Sequence, residues 1–182
     1  ILIFVFFITD ILIINFQRSE LLYFINFSYT LKLLLSFFAV IVFINACNII
    51  DGANGLLSGT AIITLFIFYL ITKNDYFNLL LLFLIIFFLY NFFTGKIFLG
   101  DTGSYLLGIV LISSTIFVFN NHNISISFIF SLFSYIICEI FSSFFRRFIN
   151  NTDPFISDNY HLHNLLYDYL NKLKLGNLII NS

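Results

Sequence analysis

Three short stretches of this 182-residue chain hold most of its residues capable of chemistry. The first is Asn45-Ala46-Cys47-Asn48-Ile49-Ile50-Asp51-Gly52-Ala53-Asn54-Gly55. Asn45, Asn48 and Asp51 recur at every third position, which puts them on one helix face. A carboxylate among amide oxygens suits a hard cation such as Mg2+, which takes one or two carboxylates and leaves room for phosphate oxygens. Asn54 adds a further amide oxygen or donor. The plainer account of the same residues is a helix end followed by Asp-Gly and Asn-Gly turn dipeptides.

The second stretch is Lys96-Ile97-Phe98-Leu99-Gly100-Asp101-Thr102-Gly103-Ser104. Asp101 lies just ahead of an apolar run that reads as a helix from about Ser104. Backbone N–H groups at such a start attract phosphate, and Lys96 brings a point charge to the same anion. Asp101 could instead simply cap the helix. The third stretch is Tyr160-His161-Leu162-His163-Asn164. Neutral imidazoles two residues apart can bind a metal or donate to a phosphate, but two His do not complete a zinc site.

The elements that must position these groups are apolar. The chain is 60% hydrophobic, 21% aromatic and only 9% charged, with a mean hydropathy of +1.04. Soluble domains carry about 25% charged residues, so this composition belongs in a bilayer. Eight basic residues against nine acidic ones leave no positive excess for a nucleic acid backbone. Cys47 and Cys138 lie in apolar runs and read as small buried residues. The chain contains no Met and begins inside the run Ile1-Leu2-Ile3-Phe4-Val5, which reads as an internal fragment of a longer membrane protein. That first run lacks a basic flank and a small-residue cleavage site, so it is not a signal peptide.

Candidate membrane helices span 1–16, 31–50, 56–72, 76–93, 103–120 and 124–144. The run from Leu79 to Leu89 is apolar at every position. A membrane barrel strand would alternate, so the expected fold class is all-α: a polytopic transmembrane helical bundle with cytoplasmic loops forming the active site. The expected division is a membrane domain over 1–144, of about six helices and truncated at its N-terminus, and a cytoplasmic tail over 145–182 leading to a missing or truncated further helix. Leu162, Leu165, Leu166, Tyr169 and Leu170 give that tail a short amphipathic helix. Helix counting puts all three chemical stretches on one side of the membrane. That side also carries Lys96, Arg146, Arg147, Lys172 and Lys174, against Arg18, Lys73 and the edge residue Lys32. The basic bias makes it the cytoplasmic side. Asp10 and Glu139 are acids inside membrane segments. Such charges are costly there, and Arg146 or Arg147 is the expected partner for Glu139.

Order and spacing of the three stretches resemble the polyprenyl-phosphate N-acetylhexosamine-1-phosphate transferases (glycosyltransferase family 4). That family includes enzymes that initiate O-antigen and teichoic-acid synthesis and the phospho-MurNAc-pentapeptide translocase of peptidoglycan synthesis. Its Asn-x-x-Asn-x-x-Asp-Gly stretch is matched by Asn45, Asn48, Asp51 and Gly52. Its Lys-x-Phe-x-Gly-Asp-x-Gly-Ser stretch is matched by Lys96, Phe98, Gly100, Asp101, Gly103 and Ser104, and its His-x-His stretch by His161 and His163. The resemblance runs from about Phe37 to Tyr167.

The resemblance implies an enzyme of the bacterial inner (cytoplasmic) membrane with its active site on the cytoplasmic face. It would transfer a sugar 1-phosphate, such as N-acetylhexosamine 1-phosphate, from a UDP-sugar to undecaprenyl or another polyprenyl phosphate, and release UMP. Mg2+, or Mn2+ in its place, would be required. Asp51 and Asp101 would be the catalytic and metal-binding residues. Asn45, Asn48, Asn54, Lys96, His161 and His163 would bind substrate, and a homodimer is compatible with the family. Asn54 and Asn164 depart from the pattern, because many relatives carry Asp and His there. The family's upstream Asp-Asp pair has no counterpart beside the lone Asp10. The competing reading is a transporter or channel fragment, which would place polar groups near the bilayer midplane. The topology predicts that single cysteines at Gly95 and Asn151 react with an impermeant maleimide only from the cytoplasmic side, and one at Asn74 only from outside. Reaction of positions 95 and 74 from the same side would overturn the alternation.

Overall fold

The computed structural model describes residues 14, 28–52, 54–97, 99–149, 165 and 169. The elements are α1 (Tyr29–Ile50), α2 (Leu56–Thr72), α3 (Asp75–Thr94), α4 (Gly100–Asn121), α5 (Ile126–Leu132) and α6 (Ser134–Ile149), with no strand among the described residues. The segment expected over 1–16 lies outside the described residues, apart from Ile14. Helices α1, α3 and α4 are long and apolar enough to cross a membrane. Counting α5 and α6 together gives a fourth candidate span. At 1.5 Å per residue, α3 with its 20 residues is about 30 Å long, the thickness of a bilayer's hydrocarbon core. The chain divides into two compact units, Ile1–Phe133 and Ser134–Ser182.

Local chemistry sets the helix ends. Ser28, Asn74 and Ser125 are the N-caps of α1, α3 and α5, their side-chain oxygens accepting the N–H groups of Leu31, Tyr76 and Phe128. Each cap satisfies one backbone donor that a helix start leaves unpaired. Lys73, in the left-handed region at φ +54°, ends α2 and returns its N–H to the Tyr69 carbonyl.

In the first unit α4 is the central helix. It packs most extensively on α1 and also touches α2, which in turn lies along α3. Val40 and Ile44 of α1 meet Ile112 and Ile116 of α4 in a buried cluster. Helices in lipid gain little from the hydrophobic effect and associate through close packing. Gly108 supplies that closeness: a Cβ there would stand 3.2 Å from Ile44 Cα and 3.3 Å from Cys47 Cβ. Cys47 is fully buried, as expected, while Cys138 is exposed. The outer helix α3 buries little beyond Phe77, Leu81 and Asn91. Leu79, Leu82, Phe83, Ile86, Tyr90 and Phe93 form its exposed side.

Besides the exposed Cys138, two expectations are corrected. The segment expected to run unbroken over 124–144 is interrupted at Phe133, whose backbone leaves the helical region at φ −101°, ψ 19°. No proline or glycine causes the break. The Phe133 ring is buried edge-on against Phe43, with centroids 4.9 Å apart, so tertiary packing overrides local helix preference. The helix expected from about Ser104 begins at Gly100, which places Asp101 in its first turn. In the second unit Ile136, Glu139 and Ser143 are buried on one face of α6, while Phe141, Phe144, Phe145 and Phe148 are exposed.

The close approach of α1 and α4 yields a prediction. Gly108→Val drives a branched side chain into the Ile44 backbone, where nothing flexible can give way. Overpacking of this kind costs about 1–3 kcal/mol. The expected result is a lower unfolding temperature in detergent, with Gly108→Ala milder. Unchanged melting of both variants would show that the helices do not pack as closely as described.

Candidate active site

The first and second motif stretches meet where the C-terminal end of α1 faces the N-terminal end of α4. Asn48 lies in the last turn of α1, and Asp51 is the residue that closes it, its own N–H donating to the Cys47 carbonyl. Ser104 of α4 is fully buried, and its hydroxyl donates to Asn48 Oδ1 at 2.6 Å, across 56 positions of sequence. Ser104 Oγ also lies 3.1 Å from the Asp101 backbone carbonyl. The other end of the same carboxamide reaches Tyr105, with Asn48 Nδ2 donating to the phenol oxygen at 3.4 Å. Asn48 is thereby oriented from both sides by consecutive residues of α4.

Asp51 is drawn into the same junction. Gly100, with φ +63°, starts α4 in a conformation that favours glycine. Its N–H donates to the Asp51 carboxylate. Three influences act on that carboxyl. Partial burial raises its pKa most, the Gly100 N–H lowers it, and the nearby negative charge of Asp101 raises it again, for a value of about 6 against 3.8 ordinarily. Desolvation and like charge together therefore outweigh the hydrogen bond. Asp101 is exposed in the first turn of α4, where the helix dipole favours an acid. It does not act as the cap: the capping position is Leu99, and no side chain caps this helix.

The other candidates divide. Asn54 is exposed, and its Nδ2 lies 3.0 Å from where a Cβ on Gly95 would be, which sets it against the loop that carries Lys96. Lys96 is exposed, and its backbone N–H donates to Thr94 Oγ1 at 3.3 Å. Asn45 turns away from the junction in its bonding: Nδ2 donates back to the Ile41 carbonyl of its own helix at 2.8 Å. His161 and His163 lie outside the described residues. Among the described residues no three His, Cys, Asp or Glu side chains gather as a metal cluster. The acids at the junction are the pair Asp51 and Asp101.

Sequence reasoning gave no role to Tyr105, and Ser104 entered only as a motif letter. The available signal was spacing. Ser104 follows Asp101 by three residues, so a site on that helix face continues to it.

This electrostatic arrangement is testable. In the full-length protein without divalent metal, the Asp51 carboxyl is expected to titrate at about pH 6. Asp101→Asn removes the like charge and shifts that titration to lower pH. Because the folded-state pKa is raised, the contribution of Asp51 to stability is greatest below its ordinary pKa and is lost as pH rises through about 6. Carbon NMR of labelled aspartate reads the shift directly, and an unmoved titration would separate the two acids.

Residues 1–119 match the family described as Glycosyl transferase family 4. The undecaprenyl-phosphate alpha-N-acetylglucosaminyl 1-phosphate transferase of Thermotoga maritima is 36% identical over 132 residues, covering 72% of this chain and 42% of its own. A phospho-N-acetylmuramoyl-pentapeptide-transferase of Staphylococcus aureus (strain bovine RF122 / ET3-1) is 33% identical over 127 residues, with 64% of this chain and 39% of its own covered. The enzyme of the latter name from Dictyoglomus turgidum is 40% identical over 80 residues, with 40% and 26% covered. The chain thus spans well under half the length of these relatives. No solved structure matches it significantly. With the family match covering the α1–α4 junction and reaching to Phe119 of α4, the chain belongs to glycosyl transferase family 4.

Proposed function

We propose that the full-length protein is a multi-pass enzyme of the bacterial inner membrane that transfers a sugar 1-phosphate from a UDP-sugar to a polyprenyl phosphate. In this reaction an oxygen of the lipid phosphate forms a new bond to the sugar-bearing phosphorus. The pyrophosphate P–O bond breaks, and UMP leaves with the bonding electrons. The observation that carries the reading is the junction of Asp51 with the start of α4 beside Asp101, braced by the Asn48–Ser104 bond. The names of the relatives support the substrate classes: one is an undecaprenyl-phosphate N-acetylglucosaminyl 1-phosphate transferase.

Phosphoryl transfer asks the protein mainly for positioning and charge neutralisation. The donor set fits Mg2+, or Mn2+ in its place, because this ion typically takes one or two carboxylates and shares its other positions with phosphates. Asp51 and Asp101 would hold it, the two acids being close enough for the charge of Asp101 to act on the Asp51 carboxyl. When bound, the cation supplies neutralisation of the charge on the transferring phosphoryl group. Asn48 fixes the geometry of the junction. Asn54 of the α1–α2 loop and Lys96 of the α3–α4 loop would bind the donor substrate, and Asn45, His161 and His163 are proposed as further substrate contacts. The basic bias supports a cytoplasmic position for this end.

A transport pathway is not favoured. Polar residues deep in the helices bond to their own backbone: Thr64 Oγ1 to the Thr60 carbonyl and Thr115 Oγ1 to the Leu111 carbonyl. The side-chain hydrogen bonds that join α1 to α4, from Asn48 to Ser104 and Tyr105, lie at the helix ends.

The decisive variant is Asp101→Asn in the full-length enzyme. Its side chain is exposed and caps nothing, so folding and membrane insertion are expected to persist. Transfer from radiolabelled UDP-sugar to polyprenyl phosphate at saturating Mg2+ is expected to fall about a hundredfold or more, roughly 3 kcal/mol at the transition state. Transfer within a few-fold of wild type would remove Asp101 from the reaction.

A further inference from the structure

Helix α3 is apolar along almost its whole length, yet Asn91 in its last turn is 3% exposed. A buried carboxamide in a membrane helix is costly unless it is bonded. Asn91 is bonded at two points to the loop that follows it. Its backbone carbonyl accepts the Gly95 N–H at 2.8 Å, closing the helix, and its side-chain Nδ2 donates to the Ile97 carbonyl. The two bonds flank Lys96 on either side. Thr94 adds to the same brace, with its hydroxyl donating to the Tyr90 carbonyl and accepting the Lys96 N–H.

We propose that Asn91 is a positioning residue that holds Lys96 at the active site by clamping the Ile97 carbonyl. This rests on the reading of the Lys96 loop as part of the transfer site. The Lys96 side chain is exposed and long, so only its backbone can restrict where its charge falls. Among the described residues the loop's backbone bonds stop at Gly95, and Lys96 and Ile97 are held by side chains. Asn91 is the one that acts from a buried, rigid element. Asn54 lies against Gly95, so the clamped loop also keeps its place beside the first motif.

The test uses the full-length protein with exposed cysteines replaced and a nitroxide label at Lys96→Cys. Asn91→Leu removes the donor while keeping an apolar helix, and Asn91→Asp removes it at constant size. Both are expected to make the label more mobile in its EPR spectrum. In unlabelled enzyme, Asn91→Leu is expected to lower transfer about tenfold, in line with loss of one positioning hydrogen bond. In a Lys96→Ala background the same change is expected to have less than about a twofold effect, because the group it positions is gone. An unchanged spectrum in both variants overturns the clamp. A full tenfold loss in the Lys96→Ala background also overturns it, since Asn91 would then act independently of Lys96. A parent enzyme that transfers no sugar phosphate at all sinks the proposed function instead, and the spectrum alone then decides whether Asn91 clamps the loop.

Discussion

The site depends on one meeting of opposed helix ends. The carbonyl end of α1 carries partial negative charge and the amide end of α4 partial positive charge, so their approach is favourable. Asp51 stands between them and receives the first N–H of α4. Its position is nonetheless contested. Removal from water and the neighbouring acid raise its proton affinity more than the backbone donor lowers it. The scaffold thus holds a carboxyl where its charged form is electrostatically disfavoured.

The rigidity of that meeting comes from further down the two helices. Gly108 lets α4 approach the backbone of α1 more closely than any larger residue would permit. The Asn48–Ser104 bond then locks rotation of one helix against the other near the site. Both devices use small or short side chains, as expected where lipid and protein are equally apolar and only contact distance discriminates. The geometry of the candidate site is in this sense built on packing further along the two helices.

Most of the architecture was legible in composition and run length. The uninterrupted apolar runs over 31–50, 56–72 and 76–93 correspond closely to α1, α2 and α3, because in lipid the backbone of such a run has no alternative to a helix. The break at Phe133 was not legible. It arises from a ring packed against Phe43, ninety positions earlier in the chain, and no breaker residue marks it. At the candidate site, motif letters and helix periodicity both point to Asn48, Asp51 and Asp101, which the fold brings together. Spacing also put Asn45 with them, but periodicity specifies a face and not a bonding partner, and Asn45 bonds to its own helix. The roles of Ser104 and Tyr105 required the helix crossing itself. Asn91 was hidden for a related reason: a lone amide in an apolar helix announces a bond but not its recipient.

The outward side of α3, with Leu79, Leu82, Phe83, Ile86 and Phe93, is exposed. Fluid hydrocarbon has no fixed shape, so it distinguishes Leu from Ile or Phe weakly. Exchange among those three residues there is expected to cost little. Mutational bias in the genome can accordingly write itself into such a face, and the chain holds 28 Phe but no Met or Trp. Positions such as Gly108 and Ser104 have no comparable freedom, so the evolutionary rate along this protein is expected to follow the boundary between lipid and packed helix more closely than distance from the reacting groups.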